Sequence, residues 1–503
     1  MRGRNRAAAI SIVVIMALVA ACSGGDSKNT SSSSSSQSSS ESGEKIVVSK
    51  LKVSKDKPEQ PSDDEIITRS VDDVQKFWTD AYPDIYTEPY KPLEGGLYPY
   101  TPSDLPPSCG GTGTATYDEV AENAFYCPIG DFVAWDTANL TDNLLEQFGP
   151  FTLGIVVAHE IGHAIQERHG ILNPPKFITF LTEQQADCFA GAYTAWVADG
   201  NSDLWELRLS DLDQALGGFL QIRDPVGTDT VNDAAAHGSA FQRINAFKDG
   251  IDEGVQRCTT YEDGNITFVP EVFTDETDLA NQGNLPLDQL EPAVIANLDA
   301  FWSLAFQDTG TTWPAARVNP FDPDGGVSCG PDSATGDDAV ALIFYCVDDD
   351  TMNWDEGVLM PYVWENIGDL ANAVLISNLF SVRAQHLAGL QSDSLEANLQ
   401  ADCFTGVWVG TTATAELSND LTLSPGDLDE AVASFLQFSD TADDIEAGTG
   451  TTGSAFQRLD AFRAGFRTTY DQFQATGSGA ADGFAACLAG SGAAAAESDS
   501  SSS

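Results

Sequence analysis

Residues 151–166 read FTLGIVVAHEIGHAIQ, an apolar run closing on His159-Glu160-Ile161-Gly162-His163. The run has the spacing of a helix. On a helix, positions i and i+4 lie one above the other, so both imidazoles can address a single ion. Glu160 is rotated to the side where a water on that ion would sit. The plain alternative is a pair of core histidines with no ligand. A glutamate in this register and only five histidines in 503 residues weigh against it.

A catalytic metal site needs a third protein donor, with the fourth position left to water. Two residues compete for that role. His169 stands where the pattern HExxHxxGxxH has its last histidine. However, Gln166 replaces the glycine that turns the chain there, and residues 66–275 contain no methionine for the accompanying Met-turn. Glu183 is the better candidate, because Glu183-Gln184-Gln185-Ala186-Asp187 continues as a second helical pattern with a carboxylate one turn on. This spacing resembles the gluzincins. That likeness implies Glu183 as the ligand beside His159 and His163, with Asp187 holding a ligand histidine from behind.

HEIGHAIQ (159–166), EQQADCFAG (183–191), the upstream AFYCP (124–128) and the downstream HGSAFQR (237–243) share an order with one known family. Together they resemble the bacterial neutral zinc metallopeptidases, in which HEVGHHVQ, ELQADCFAG and HGTSxQR follow one another. The resemblance covers most of residues 70–260. It implies one zinc ion held by His159, His163 and Glu183, with Glu160 in the catalytic role. Gln184 in place of leucine and the extra His169 depart from the pattern without touching those positions.

The chain also resembles itself. Phe125-Tyr126-Cys127 and Trp135-Asp136 return as Phe344-Tyr345-Cys346 and Trp354-Asp355. Ala186-Asp187-Cys188-Phe189 returns as Ala401-Asp402-Cys403-Phe404, and the segment from Gly238 to Arg243 as that from Gly453 to Arg458. At matching offsets His159 becomes Asn378, Glu160 becomes Leu379, His163 becomes Val382, Glu183 becomes Asn398 and His237 becomes Thr452. The second copy therefore reads as a metal-free pseudoenzyme with an intact fold. His237 vanishes together with the proposed ligands, which makes it the candidate for stabilising an oxyanion or protonating a leaving amine. Asp187, Gln242 and Arg243 persist, so Gln242 and Arg243 read as structural, and Asp187 carries a structural duty besides its support of a ligand.

Composition sets the surroundings. With 24 Lys+Arg against 76 Asp+Glu the net charge is −52, which repels phosphate backbones and excludes nucleic-acid binding. Arg2, Arg4 and Arg6, an apolar run and Val19-Ala20-Ala21-Cys22 resemble a lipoprotein signal with Cys22 as the lipidated residue, facing the extracytoplasmic side of a cell membrane. The other eight cysteines fall four to a copy: Cys109, Cys127, Cys188, Cys258, then Cys329, Cys346, Cys403, Cys487. Of the three connectivities possible in each copy, the sequential one closes the most local segments.

The expected fold is mainly α (α+β), a zincin-like metallopeptidase domain duplicated in tandem with the second copy degenerate. Helices are expected over 151–166, 182–198, 211–223 and 239–256, with short strands upstream of each active helix. The organisation is a signal peptide over 1–21, a disordered Ser/Lys-rich tether over 22–65, the metallopeptidase domain over 66–275, the degenerate copy over 286–490 and a disordered tail over 491–503. A linker rich in Pro, Asn and Gly around Gly283 to Pro292 joins the copies. The function expected is hydrolysis of a peptide or protein substrate by a membrane-tethered zinc peptidase. The rival is a non-catalytic envelope scaffold with a structural zinc in the first copy and a partner docked on the second. A closed structural site, however, has no use for Glu160 beside its ligands.

Overall fold

A computed structural model describes residues 63–109, 116–172, 178–307, 311–390, 394–417, 421–447 and 449–490. The expected signal peptide, Cys22, nearly all of the tether and the C-terminal tail lie outside the described residues.

The first half runs α1 (Asp63–Ile85), β1 (Gly96–Tyr100), β2 (Ala124–Cys127), β3 (Phe132–Asp136), α2 (Asp142–Arg168), α3 (Thr179–Ala198), α4 (Leu209–Gln221), α5 (Ala240–Glu253) and α6 (Val255–Thr259). α1 starts three residues before the expected edge of the tether. A short α7 (Glu276–Ala280) leads to α8 (Leu287–Ala305), which carries Pro292 within it, so the linker is shorter than its composition suggests. The second half continues with β4 (Val318–Phe321), β5 (Val327–Cys329), β6 (Asp332–Ala334), β7 (Ile343–Cys346), β8 (Thr351–Asp355), α9 (Leu359–Asn366), α10 (Asp369–Leu387), α11 (Leu395–Ala413), α12 (Asp427–Gln437), α13 (Ala442–Ala447), α14 (Ala455–Thr476) and α15 (Ala480–Gly490).

The molecule is mainly helical with small sheets, as the sequence predicts. The first sheet has the order β1-β3-β2, with β1 parallel and β2 antiparallel to β3. The order β4-β8-β7 follows with the same pairings, beside an added β5-β6 hairpin. In both sheets the last-named strand is an edge, β2 lying next to α2 and β7 next to α10.

α2 is broken at Gly149, whose φ of 72° suits glycine, and Pro150 then opens the active segment, where a first-turn residue loses nothing by lacking an N–H. From Phe151 to Gln166 nearly every residue is buried, as expected for a helix that is apolar on most sides. Close packing places its neighbours. A Cβ on Gly191 of α3 would lie 1.8 Å from the Phe247 carbonyl oxygen of α5, and one on Gly250 of α5 would lie 1.8 Å from that of Cys188. Only glycine allows this approach. Gly406 and Gly465 do the same between α11 and α14. Four disulfides, Cys109–Cys127, Cys188–Cys258, Cys329–Cys346 and Cys403–Cys487, follow the sequential pairing.

The halves pack against each other through reciprocal contacts. Phe241 N donates to Asp429 at 2.9 Å, and the corresponding Phe456 N donates to Asp213 at 2.7 Å. Phe241 also meets the rings of Phe462 and Phe466, and Asp249 is buried among Arg257, Arg463 and Arg467. Among the described residues no helix is long and apolar enough to cross a membrane.

Candidate metal centre

α2 and α3 cross with Gly162 against Ala186, where even a Cβ would be 3.1 Å from the Ala186 Cα. This crossing brings His159 and His163 of one helix to Glu183 of the other. The Nε2 atoms of His159 and His163 lie 3.1 and 3.3 Å from the same oxygen, Glu183 Oε2. One donor atom from each of the three residues lies within 4.8 Å of the others. All three side chains are largely buried.

Each ring is held from behind. His159 Nδ1 is 2.7 Å from Asp187 Oδ1, and Arg243 donates to both oxygens of Asp187 at 2.8 and 2.9 Å. His163 Nδ1 is 2.8 Å from Gln166 Oε1. The Gln166 amide is fixed by donating to the Thr182 carbonyl and to Gln185 Oε1, at 2.6 and 3.0 Å. With both Nδ1 atoms facing acceptors, both Nε2 atoms are turned towards Glu183, the arrangement that metal-ligating histidines show. Two imidazole nitrogens and a carboxylate oxygen converging at one buried point fit a zinc ion, with a position left open.

The electrostatics agree with a site built for a cation. Burial opposes protonation of His159, yet Asp187 and Glu183 outweigh it and push the imidazole up to about 10. Burial works against ionisation of Glu183, but His163 and His159 hold its carboxyl well below the ordinary range. Glu160 moves the other way: burial raises it, and the two imidazoles only partly offset that. Its Oε2 accepts from the Tyr126 backbone N–H of edge strand β2 at 2.8 Å, and its Oε1 makes no hydrogen bond among the described residues.

His237 stands on the rim with its side chain 45% exposed, its Nε2 3.8 Å from Glu183 Oε2 and its Nδ1 3.5 Å from Asp224. Asp224 also accepts from the His237 and Gly238 backbone at 2.7 Å each, which fixes the loop. Two adjoining cavities of about 280 and 320 Å³ flank the centre, and both are lined by His159, Glu160 and His237.

The structure thus brings His159, His163, Glu183, Glu160, Asp187 and His237 together. His169 is elsewhere, stacked on Tyr86 and 3.5 Å from Glu262. Gln166 and Arg243 also belong to the site, although neither is a candidate on sequence grounds. The signals were Gln166 one turn after His163 and the persistence of Arg243 alongside Asp187.

A sequence model of the family described as "Putative neutral zinc metallopeptidase" matches residues 3–261, just over half of the chain. "Uncharacterized protein YpfJ" of Escherichia coli K12 is 32% identical over 161 residues, covering 27% of this chain and 53% of that protein. "Uncharacterized protein Rv2575" of Mycobacterium tuberculosis H37Rv is 29% identical over 201 residues, covering 35% of this chain and 67% of that protein. The chain thus spans about half the length of the Escherichia coli relative it matches. No solved structure matches it significantly.

Proposed function

The chain belongs to the neutral zinc metallopeptidase family, and on that footing we propose a zinc-dependent peptidase tethered to the outer face of a membrane by a lipid on Cys22. In this reading the first half cleaves peptide bonds and the second is a degenerate copy of it. One observation carries the reading: His159, His163 and Glu183 converge at one point, while Glu160 beside them takes no part in the cluster. A closed structural site would not need that free carboxylate.

His159, His163 and Glu183 would hold the zinc, which when bound polarises a carbonyl and lowers the pKa of a water towards ~7. Glu160 takes the proton from the attacking water. Its raised pKa suits it to carry that proton and deliver it to the leaving nitrogen, a contribution of about 10²–10⁴ in rate. The Tyr126 N–H anchors Oε2 throughout and leaves Oε1 for the transfer. His237, held on the rim by Asp224, supports the developing oxyanion or the leaving amine. The cavities on both sides of the centre, with β2 as the nearby sheet edge, suit an extended peptide laid across the site.

A peptide-library digest tests this. The zinc-loaded chain is expected to cut, and Glu160→Gln to bind zinc without cutting; equal cleavage by both would overturn the mechanism. For the tether, Cys22→Ala is expected to release the protein from the membrane fraction, and unchanged membrane association would count against the lipid.

A further inference from the structure

A second convergence of side chains lies in the other half, where the linker meets α10 and α12. Asp369 opens α10, and Asp427 and Glu430 stand on the first turn of α12. One oxygen from each lies within 4.8 Å of one from each of the others. Asp369 and Asp427 are each only 5% exposed. Every carboxylate commits one oxygen to a backbone N–H: Asp369 Oδ2 to Leu285 at 2.7 Å, Asp427 Oδ2 to Ser424 at 2.8 Å, and Glu430 Oε2 to Leu370 at 2.8 Å. The remaining oxygens of the two aspartates, both Oδ1, are buried with no hydrogen-bond partner. Both aspartates, but not Glu430, also line a cavity of about 20 Å³, room for one water, whose other walls are mostly apolar.

The corresponding place in the first half shows what has changed. There Asp211 occupies the position of Asp427 and is neutralised by Arg208, whose Nη2 lies 2.8 Å from its Oδ1. In the second half Ser424 stands for Arg208, Glu430 for Gln214 and Asp369 for Pro150. The match is spatial as well: a Cβ on Gly149 would meet the Gln214 side chain, and one on Gly368 would meet that of Glu430. The spot thus has one cation fewer and two carboxylates more than its counterpart, with Asp427 as buried as Asp211. Burial pushes Glu430 up to about 9 and Asp369 up to about 6, with the neighbouring carboxylates adding to both. Asp278 of α7 adds a further carboxylate close by, accepting from Ser424 Oγ at 2.8 Å. Buried carboxylates are costly unless paired or coordinated to a metal, and among the described residues no lysine or arginine is paired with these three.

We propose that Asp369, Asp427 and Glu430 form a binding site for a hard divalent cation, calcium in preference to magnesium or zinc, that ties the linker to α10 and α12. The donors are all oxygen, which disfavours zinc. Asp369 and Asp427 are almost fully buried, and magnesium, which dehydrates reluctantly and keeps several waters, suits such a place less than calcium, whose flexible shell accepts protein oxygens. The site does not depend on the zinc centre or on any catalytic activity.

The experiment uses the zinc-loaded full chain in calcium-free buffer, followed by thermal melting with about 2 mM calcium chloride or the same magnesium chloride, a concentration above the weak range of extracellular calcium modules. Calcium is expected to raise the melting temperature by about 4 °C or more, with a much smaller effect of magnesium. Glu430→Gln and Asp427→Asn are expected to lose that rise, to melt at or above the unaltered chain when calcium is absent because repulsion is relieved, and to keep their zinc. Equilibrium dialysis against calcium should find one ion per unaltered chain and none in either variant. No calcium-dependent rise in the unaltered chain, or an equal rise in both variants, would overturn the site.

Discussion

In the first half Asp187 faces His159 and is clamped by both arms of Arg243; in the second half Asp402 accepts from Asn378 at 2.9 Å and is clamped by Arg458 at the same 2.8 and 2.9 Å. Gln385 repeats Gln166 just as closely, donating to the Ala397 carbonyl and to Gln400, but its Oε1, which in the first half faces His163, is buried with no partner beside Val382. The framework around the centre is thus present in both halves, and the donors it holds in the first are absent from the second. The ionic balance has shifted with them. Burial opposes Asp187, yet Arg243 and His159 hold its carboxyl low, whereas burial of Asp402 outweighs Arg458 and holds it high. A carboxylate that pairs with an arginine in both halves is structural, and the same carboxylate beside an imidazole also orients a ligand.

Paired substitutions can break or sharpen this contrast. The largest effect is expected at the base. Glu160→Gln should lower peptide cleavage by about 10²–10⁴-fold, while Leu379→Met at the matching place should leave turnover unchanged; equal losses would mean that both halves act. Next comes the carboxylate behind the ring. Asp187→Asn should weaken zinc binding by about 10–100-fold, and Asp402→Asn should cost only folding stability, read by zinc titration and denaturant melts of the same samples. Gln166→Leu is expected to lose about tenfold in zinc affinity, at the low end of that range, and Gln385→Leu none. The smallest effect is a proton count. Because Asp187 and Glu183 pull His159 up to about 10, that ring is protonated near neutrality before metal arrives, and zinc must displace the proton. Affinity should therefore rise with pH, with about one proton released per zinc at pH 7, measured by calorimetry in buffers of different ionisation enthalpy. A pH-independent affinity would contradict that.

Much of the centre was legible because its chemistry is periodic. His159 and His163 are one turn apart on a helix, Glu183 and Asp187 one turn apart on the next, and the ligand positions could be tested against their counterparts Asn378, Val382 and Asn398. What escaped had no such mark. The anchor of Glu160 is the backbone N–H of Tyr126, which any residue would supply. Arg243 reads as structural because it persists as Arg458, yet its structural bond is the one that holds Asp187 against His159. The helical fold and its short strands followed from periodicity and turn residues. The reciprocal packing of the halves through Phe241 and Phe456 joins segments far apart in the chain and has no local signature.

The central claim is that one zinc ion sits in the first half on His159, His163 and Glu183. Metal analysis of the purified full chain, supplied with zinc and then freed of excess, tests it most directly beside His163→Ala and a His386→Ala control from the second half. The account requires one zinc per chain in the unaltered protein and the control, and none in His163→Ala. A chain that stays empty when zinc is supplied, or a His163→Ala variant that keeps its full equivalent, would contradict it.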